Sequence, residues 1–209
     1  MSFYDITYKE DINDNKQLIS DIYSNQLTDF NLEKRYVKKS GEIVWVSIAV
    51  RVITDDKGDE CVDFIKRHNR EPFFLFASFN APHAPMQATK ADLELFKHIK
   101  DEKRRKYCAM VYRLDVNVGK IMGTLVKGSI AENTLVVFLS DNGGPCDSNA
   151  SINAPFNGQK GILLEGGIHV PFIMNWKGKL PAGRTYENPV LSLDFAATFF
   201  ELAGGEITE

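Results

Sequence analysis

Asp141 and Asn142 stand at the end of the run Thr134-Leu-Val-Val-Phe-Leu-Ser140, and Gly143 and Gly144 follow them directly. A β-branched and aromatic run that stops at a carboxylate and an amide reads as a buried strand bringing oxygen ligands to the carboxyl edge of a sheet. Open α/β proteins bind their ligands at that edge. Both side chains coordinate through oxygen, which suits a hard divalent cation, calcium first and magnesium second, far better than zinc. The two glycines let the backbone turn close to whatever is bound. Downstream, Asn157-Gly-Gln-Lys-Gly-Ile-Leu-Leu-Glu-Gly-Gly-Ile-His-Val-Pro171 carries Lys160 in a glycine-rich segment that can bring a fixed positive charge to the same edge. A metal and a lysine together are equipment for holding an oxyanion.

These residues need elements to position them. The spacing of Tyr107, Met110, Val111, Leu114, Val118, Ile121, Met122 and Leu125 predicts a long helix between Asp101 and Lys127, with that stripe as its core face. A short helix is expected over Cys61 to Asn69, and a buried strand over Phe73 to Phe79. Lys103, Arg104, Arg105 and Lys106 read as a solvated face of the long helix. Near the N-terminus, Phe30 to Val37 and Val44 to Ile53 are strand-like runs joined at Lys39-Ser-Gly-Glu42, a hairpin signal. In the second run Val44, Val46, Ile48, Val50 and Val52 alternate onto one face and Trp45, Ser47, Ala49 and Arg51 onto the other.

Ser140-Asp-Asn-Gly-Gly144 after a hydrophobic strand, then Lys160-Gly161, Glu165-Gly-Gly-Ile168 and Val170-Pro-Phe-Ile173, resembles the C-terminal half of the catalytic domain of sulfatases, in the alkaline phosphatase superfamily. Three more segments agree in order. Glu71-Pro-Phe-Phe-Leu-Phe-Ala-Ser-Phe-Asn-Ala-Pro-His-Ala-Pro85 is similar to the family's strand and histidine loop, and Tyr107 to Leu125 to the helix ahead of the metal strand. Ser192-Leu-Asp-Phe-Ala-Ala-Thr-Phe-Phe-Glu-Leu-Ala-Gly204 resembles the helix after the substrate loop. The resemblance implies that Asp141 and Asn142 are metal ligands, that Lys160 contacts the sulfate, and that His83 contacts the sulfate or its leaving oxygen. Without the resemblance His83, between two Ala-Pro units, is a loop histidine. His169 stands where these enzymes usually carry arginine; like His68 and His98 it reads as structural or solvated.

The family attacks sulfur with a formylglycine made from the first residue of Cys/Ser-x-Pro-x-Arg. Cys61-Val-Asp, Cys108-Ala-Met and Cys146-Asp-Ser lack the proline, and no serine of the chain precedes x-Pro-x-Arg. The expected nucleophile is therefore absent from this sequence. The family's Asp-Asp metal pair has one formal candidate, Asp55-Asp56, but position 56 lies only 26 before Pro82, too near for the segment that normally intervenes. Asp55-Asp-Lys-Gly58 reads as an ordinary polar turn.

Residues 1–58 resemble the C-terminal half of a PAS domain, with Glu10 to Asn25 as the helix before its final strands. The fold class expected is thus α/β: a partial alkaline-phosphatase-like (sulfatase) sheet with flanking helices over 59–209, preceded by a PAS-like helix and antiparallel hairpin over 1–58. Eight basic and ten acidic side chains in residues 1–58, and seventeen and eighteen in 59–209, leave neither part with a nucleic-acid footprint. Three cysteines without metal-like spacing predict free thiols. No run is long and apolar enough to span a membrane, and no basic-then-apolar leader opens the chain. As written the sequence predicts a cytoplasmic protein, and an exported one if a longer parent carries a signal.

Two functions follow. One is a sulfuric-ester hydrolase acting on a sulfated small molecule or glycan, inactive as this chain alone for want of the nucleophile. The other is a non-catalytic fusion of PAS-like and sulfatase-like segments, at most a binding module. A phosphoryl-transfer relative calls for more Asp and His than this segment offers. Uncovered sheet edges in either part predict self-association.

Overall fold

The structure, a computed structural model, describes residues 7–23, 29–38, 40–51 and 58–204. Asp55, Asp56 and Val52 lie outside the described residues, so the exposed-turn reading and the end of the second strand are not addressed by it.

In the N-terminal part a 3-10 turn, Lys9–Asp11, leads into α1, Ile12–Tyr23, and then to the hairpin strands β1, Asp29–Val37, and β2, Ile43–Arg51. The hairpin predicted from the alternation forms with Asp29 opposite Arg51 and Val37 opposite Ile43. Its turn closes by hydrogen bonds from the Lys38 amide to the Glu42 carbonyl and from the Gly41 amide to the Lys38 carbonyl, both 2.9 Å. Val44 is half-buried and Trp45 is 69% exposed, as the two faces predict. Polar contacts fasten the helix side to the hairpin. Asp11 accepts from the backbone amide of Arg35 at 2.7 Å and from its guanidinium at 2.6 Å and 3.2 Å. The side-chain and backbone bonds from Arg35 hold the Asp11 carboxyl below its ordinary range. Lys34 is buried, and its Nζ donates to Asn15 Oδ1 at 3.0 Å. Burial lowers the pKa of that ammonium.

In the C-terminal part the helices are α2, Asp59–His68, α3, Lys90–Leu95, and α4, Glu102–Lys127. Beyond them come β3, Val136–Leu139, α5, Cys146–Asn149, α6, Glu165–Ile168, β4, Phe172–Asn175, and α7, Asp194–Leu202. Asp101 caps α4 by accepting the Arg104 amide at 2.6 Å. The core forms where α2 crosses α4: Phe64, Ile65 and Leu125 are buried there, with Phe73, Leu75, Ile121, Met122 and Val136 packed on them. Most of the predicted stripe faces inward. Val111 does not; it is 38% exposed, and the buried line runs instead through Ala109, Met110 and Asn117.

β3 pairs antiparallel with β4, Val136 opposite Asn175 and Leu139 opposite Phe172. α7 covers this pair through stacked rings, Phe172 on Phe195 at 5.5 Å and Phe195 on Phe199 at 5.7 Å. The buried strand expected over Phe73 to Phe79 is corrected. These residues belong to no strand, and Phe74 and Phe76 are 67% and 77% exposed. The apolar run has the right residues, but a strand also needs a neighbour to bond to, and none is present among the described residues.

The basic run at the start of α4 is solvated only in part: Lys103 is exposed, while Arg104, Arg105 and Lys106 are half-buried. Lys103 Nζ donates to the Asp147 carbonyl at 3.1 Å, Arg104 Nη1 to the Ala150 carbonyl at 2.8 Å, and Arg105 Nε to the Ile99 carbonyl at 3.0 Å. Lys103 and Arg104 tie the helix to the segment that follows β3, and Arg105 bonds the chain just ahead of the helix, roles that sequence spacing does not reveal.

Candidate functional site

The site is assembled by four segments: the loop that carries His83, the turn after β3, Asn149–Asn153, and the glycine-rich stretch around Lys160. Ser140 donates its amide to the Pro171 carbonyl at 3.2 Å, and Gly143 donates its amide to the Gly167 carbonyl at 2.9 Å. The approach is so close that a Cβ on Gly143 would lie 1.8 Å from the Gly166 carbonyl oxygen, and one on Gly167 2.0 Å from the Ile162 oxygen. Glycine is required at both positions because backbone occupies the space a side chain would need.

Asn153 is the organiser that sequence reasoning missed. Its Oδ1 accepts the Gly144 amide at 3.0 Å, and its Nδ2 donates to the Gly144 carbonyl at 2.8 Å and to the Gly158 carbonyl at 3.1 Å. Asn149, 2% exposed, donates through Nδ2 to the Pro82 carbonyl at 3.3 Å and so holds the His83 loop. The available signal was Asn149-Ala-Ser-Ile-Asn153, an uncharged stretch with amides at both ends, the composition of a loop that hydrogen-bonds backbone.

His83 and Lys160 are brought into contact: Lys160 Nζ lies 3.2 Å from His83 Nε2. The other ring nitrogen, Nδ1, lies 2.5 Å from the Ala84 carbonyl oxygen. A carbonyl only accepts, so Nδ1 carries the proton, and in the neutral ring Nε2 presents its lone pair to the Lys160 ammonium. Both side chains are exposed.

Asp141 and Asn142 sit where the sequence predicts, directly past the end of β3. Asp141 Oδ1 accepts the amide of the next residue, Asn142, at 2.9 Å, and Asn142 Nδ2 donates to the Gly143 carbonyl at 3.1 Å. Among the described residues no hydrogen bond joins this pair to His83 or Lys160. The donor set fits a hard divalent cation in kind but not in number. No group of three or more His, Cys, Asp or Glu able to hold a metal occurs among the described residues, whereas calcium takes six to eight oxygens.

His169 stacks on Phe156 with ring centroids 4.3 Å apart, and His68 meets Phe64 at 4.4 Å with the rings tilted and pairs with Glu71. The cysteines are free. A cavity of about 630 Å³ lies along α4, bordered by Phe79, Ala81, Met110, Arg113 and Leu114. Neither His83 nor Lys160 lines it. On its wall Asp92 is 2% exposed and receives Arg113 Nη2 at 2.5 Å and Nε at 3.0 Å. It also accepts the Thr89 hydroxyl at 2.8 Å. These bonds, Arg113 foremost, lower the Asp92 pKa from its usual 3.8.

Comparison with known proteins fits the geometry. The sulfatase family profile matches residues 2–205, and the chain belongs to the sulfatase family. Human arylsulfatase H is 37% identical over 157 residues, which are 72% of this chain and 27% of that protein. Dog N-acetylgalactosamine-6-sulfatase is 37% identical over 150 residues, 69% of this chain and 28% of that protein. The solved structure of Ps i-CgsB in complex with k-i-k-neocarrahexaose superposes with a TM-score of 0.71 at 34% identity, covering 92% of this chain and 42% of that one. The α/β sulfatase-like fold is therefore established, and the chain spans about a quarter to two-fifths of the length of these relatives. The profile match begins at residue 2 and so runs across the N-terminal helix and hairpin as well.

Proposed function

We propose that this chain carries the sulfate-holding part of a sulfatase site, directed at a sulfate ester of a small molecule or glycan. Lys160 supplies fixed positive charge to the sulfate oxygens. His83, oriented by the Ala84 carbonyl, keeps Nε2 available to exchange a proton with the departing alcohol. Asp141 and Asn142 contribute two oxygen donors toward a divalent cation, calcium by preference, which would polarise the sulfate when bound. What this chain does by itself is bind and orient an oxyanion. It does not form the covalent intermediate, because none of its cysteines or serines lies in the Cys/Ser-x-Pro-x-Arg motif. The observation that carries this reading is the 3.2 Å contact between Lys160 and His83. Calorimetric titration with inorganic sulfate tests it: binding that is weakened both by Lys160→Ala and by His83→Ala is expected, and binding indifferent to both contradicts it.

A second reading, a non-catalytic fusion of a PAS-like segment to a sulfatase-like one, is favoured by the order helix then hairpin in residues 12–51 and by the Asp11–Arg35 bonds that fasten this segment to itself. It predicts that removing residues 1–58 leaves sulfate binding unchanged.

A further inference from the structure

The cavity along α4 encloses about 630 Å³, within the size range of sites that hold a small organic molecule. Phe79, Met110 and Leu114 give it an apolar wall, Met110 being 5% exposed and the other two half-buried. An aromatic ring or a short alkyl body is stabilised by leaving water against such a wall.

The polar wall has a definite sense. Asp92 lines the cavity at 2% exposure, but its carboxylate is committed to donors of its own chain. Oδ1 accepts from Arg113 Nη2, and Oδ2 accepts from Arg113 Nε at 3.0 Å and from the Thr89 hydroxyl at 2.8 Å. Arg113 is in the opposite condition. Its Nε–Nη2 edge is fixed by Asp92, while Nη1 donates to nothing among the described residues. The remaining Nη1–Nη2 edge of a guanidinium carries two parallel N–H groups, the geometry that a planar carboxylate matches. Because a buried partner already holds the fork in place, little ordering cost remains for a ligand to meet. The other charged side chain on the wall, Lys120, is also a cation, and Asp59, which accepts from its Nζ at 2.9 Å, lies outside the lining.

We propose that this cavity is a binding site for a small amphipathic monoanion, an aromatic or short-chain carboxylate. Its apolar body lies on Phe79, Met110 and Leu114, and its carboxylate accepts from the open edge of Arg113. A cation of the same shape meets Arg113 and Lys120 and is repelled. Inorganic sulfate has no apolar body to bury and finds its place at Lys160, which does not line the cavity.

The probe is 2-naphthoate, titrated calorimetrically into the purified chain at fixed ionic strength beside its cationic counterpart, 2-naphthylmethylammonium. One-to-one binding of naphthoate, at least about tenfold tighter than that of the ammonium, is expected. Saturating inorganic sulfate leaves it unchanged. Arg113→Lys keeps a cation opposite Asp92 but lacks the fork, and weakens naphthoate by about tenfold. Met110→Trp fills the cavity and abolishes binding. Should thermal unfolding show that variant to be unfolded, Gln87→Glu serves in its place: this exposed lining residue then sets a second carboxylate near the bound one and weakens naphthoate by at least about fivefold. No binding, equal binding of both probes as in adsorption to exposed apolar surface, displacement by sulfate, or an affinity unmoved by Arg113→Lys and Gln87→Glu would each overturn the proposal.

Discussion

Lys160 Nζ and His83 Nε2 stand 3.2 Å apart although 77 positions separate them in the chain. The contact depends on two unrelated anchors. Asn149 holds the His83 loop through Pro82, and Asn153 holds the glycine-rich segment through Gly158. Two exposed side chains on separate loops meet where a buried amide, Asn149, and a half-buried one, Asn153, hold the loops that carry them.

Removing the lysine should be felt directly by an anion. Lys160→Ala is expected to weaken inorganic sulfate binding by about tenfold, the worth of one charge-assisted contact at a solvent-exposed site. Calorimetry at fixed ionic strength measures it, and an unchanged affinity would remove Lys160 from the site.

Asn153→Ala is expected to act on the same affinity from a distance. It leaves the Gly144 amide and two carbonyls without their partner, a loss of about 1–3 kcal/mol, and frees the segment that carries Lys160. Thermal unfolding and sulfate titration should fall together. A stability loss without an affinity loss would mean that Lys160 is positioned by something else.

Calcium should bind weakly, on the order of millimolar, because two oxygen donors from one turn leave most of the coordination sphere to water. Asp141→Asn should abolish what remains by removing the one formal negative charge of the pair. Tight stoichiometric binding would mean that further carboxylates complete the site, with Asp55 and Asp56 the first to substitute.

Much of this arrangement is legible in the sequence, and the limits have physical causes. The α4 helix, the hairpin, β3 and the placement of Asp141 and Asn142 follow from periodicity, because each is decided by residues close together in the chain. Phe73–Phe79 has a strand's composition and alternation but no ladder, since pairing depends on a neighbour that local pattern cannot supply. The carbonyl contacts of Lys103 and Arg104, and the work of Asn149 and Asn153, depend on which loops meet in space. His83 is recognisable only through the family resemblance, since its Ala-Pro surroundings say loop and nothing more.

Asp92 gives a prediction for stability against pH. Arg113 bonds hold its folded-state pKa below the usual 3.8, so its contribution is fully present above that value and is lost as pH falls through the lowered one. Asp92→Ala should cost about 2–4 kcal/mol at neutral pH, the lower part of that range because the Arg113 side chain is 38% exposed. The difference from the unsubstituted chain should shrink below the ordinary aspartate range. Denaturant midpoints at neutral and acid pH measure it, and a penalty that persists undiminished in acid would assign the loss to packing instead.

The account's central claim is that this chain holds the means to bind a sulfate ester and lacks the group that attacks it. Incubating the purified chain with an aryl sulfate and calcium, and following phenol release over many enzyme equivalents, tests that most directly. The expected result is no release above buffer for the chain and for Lys160→Ala alike. Steady hydrolysis that copurifies with the chain and vanishes in Lys160→Ala would contradict it.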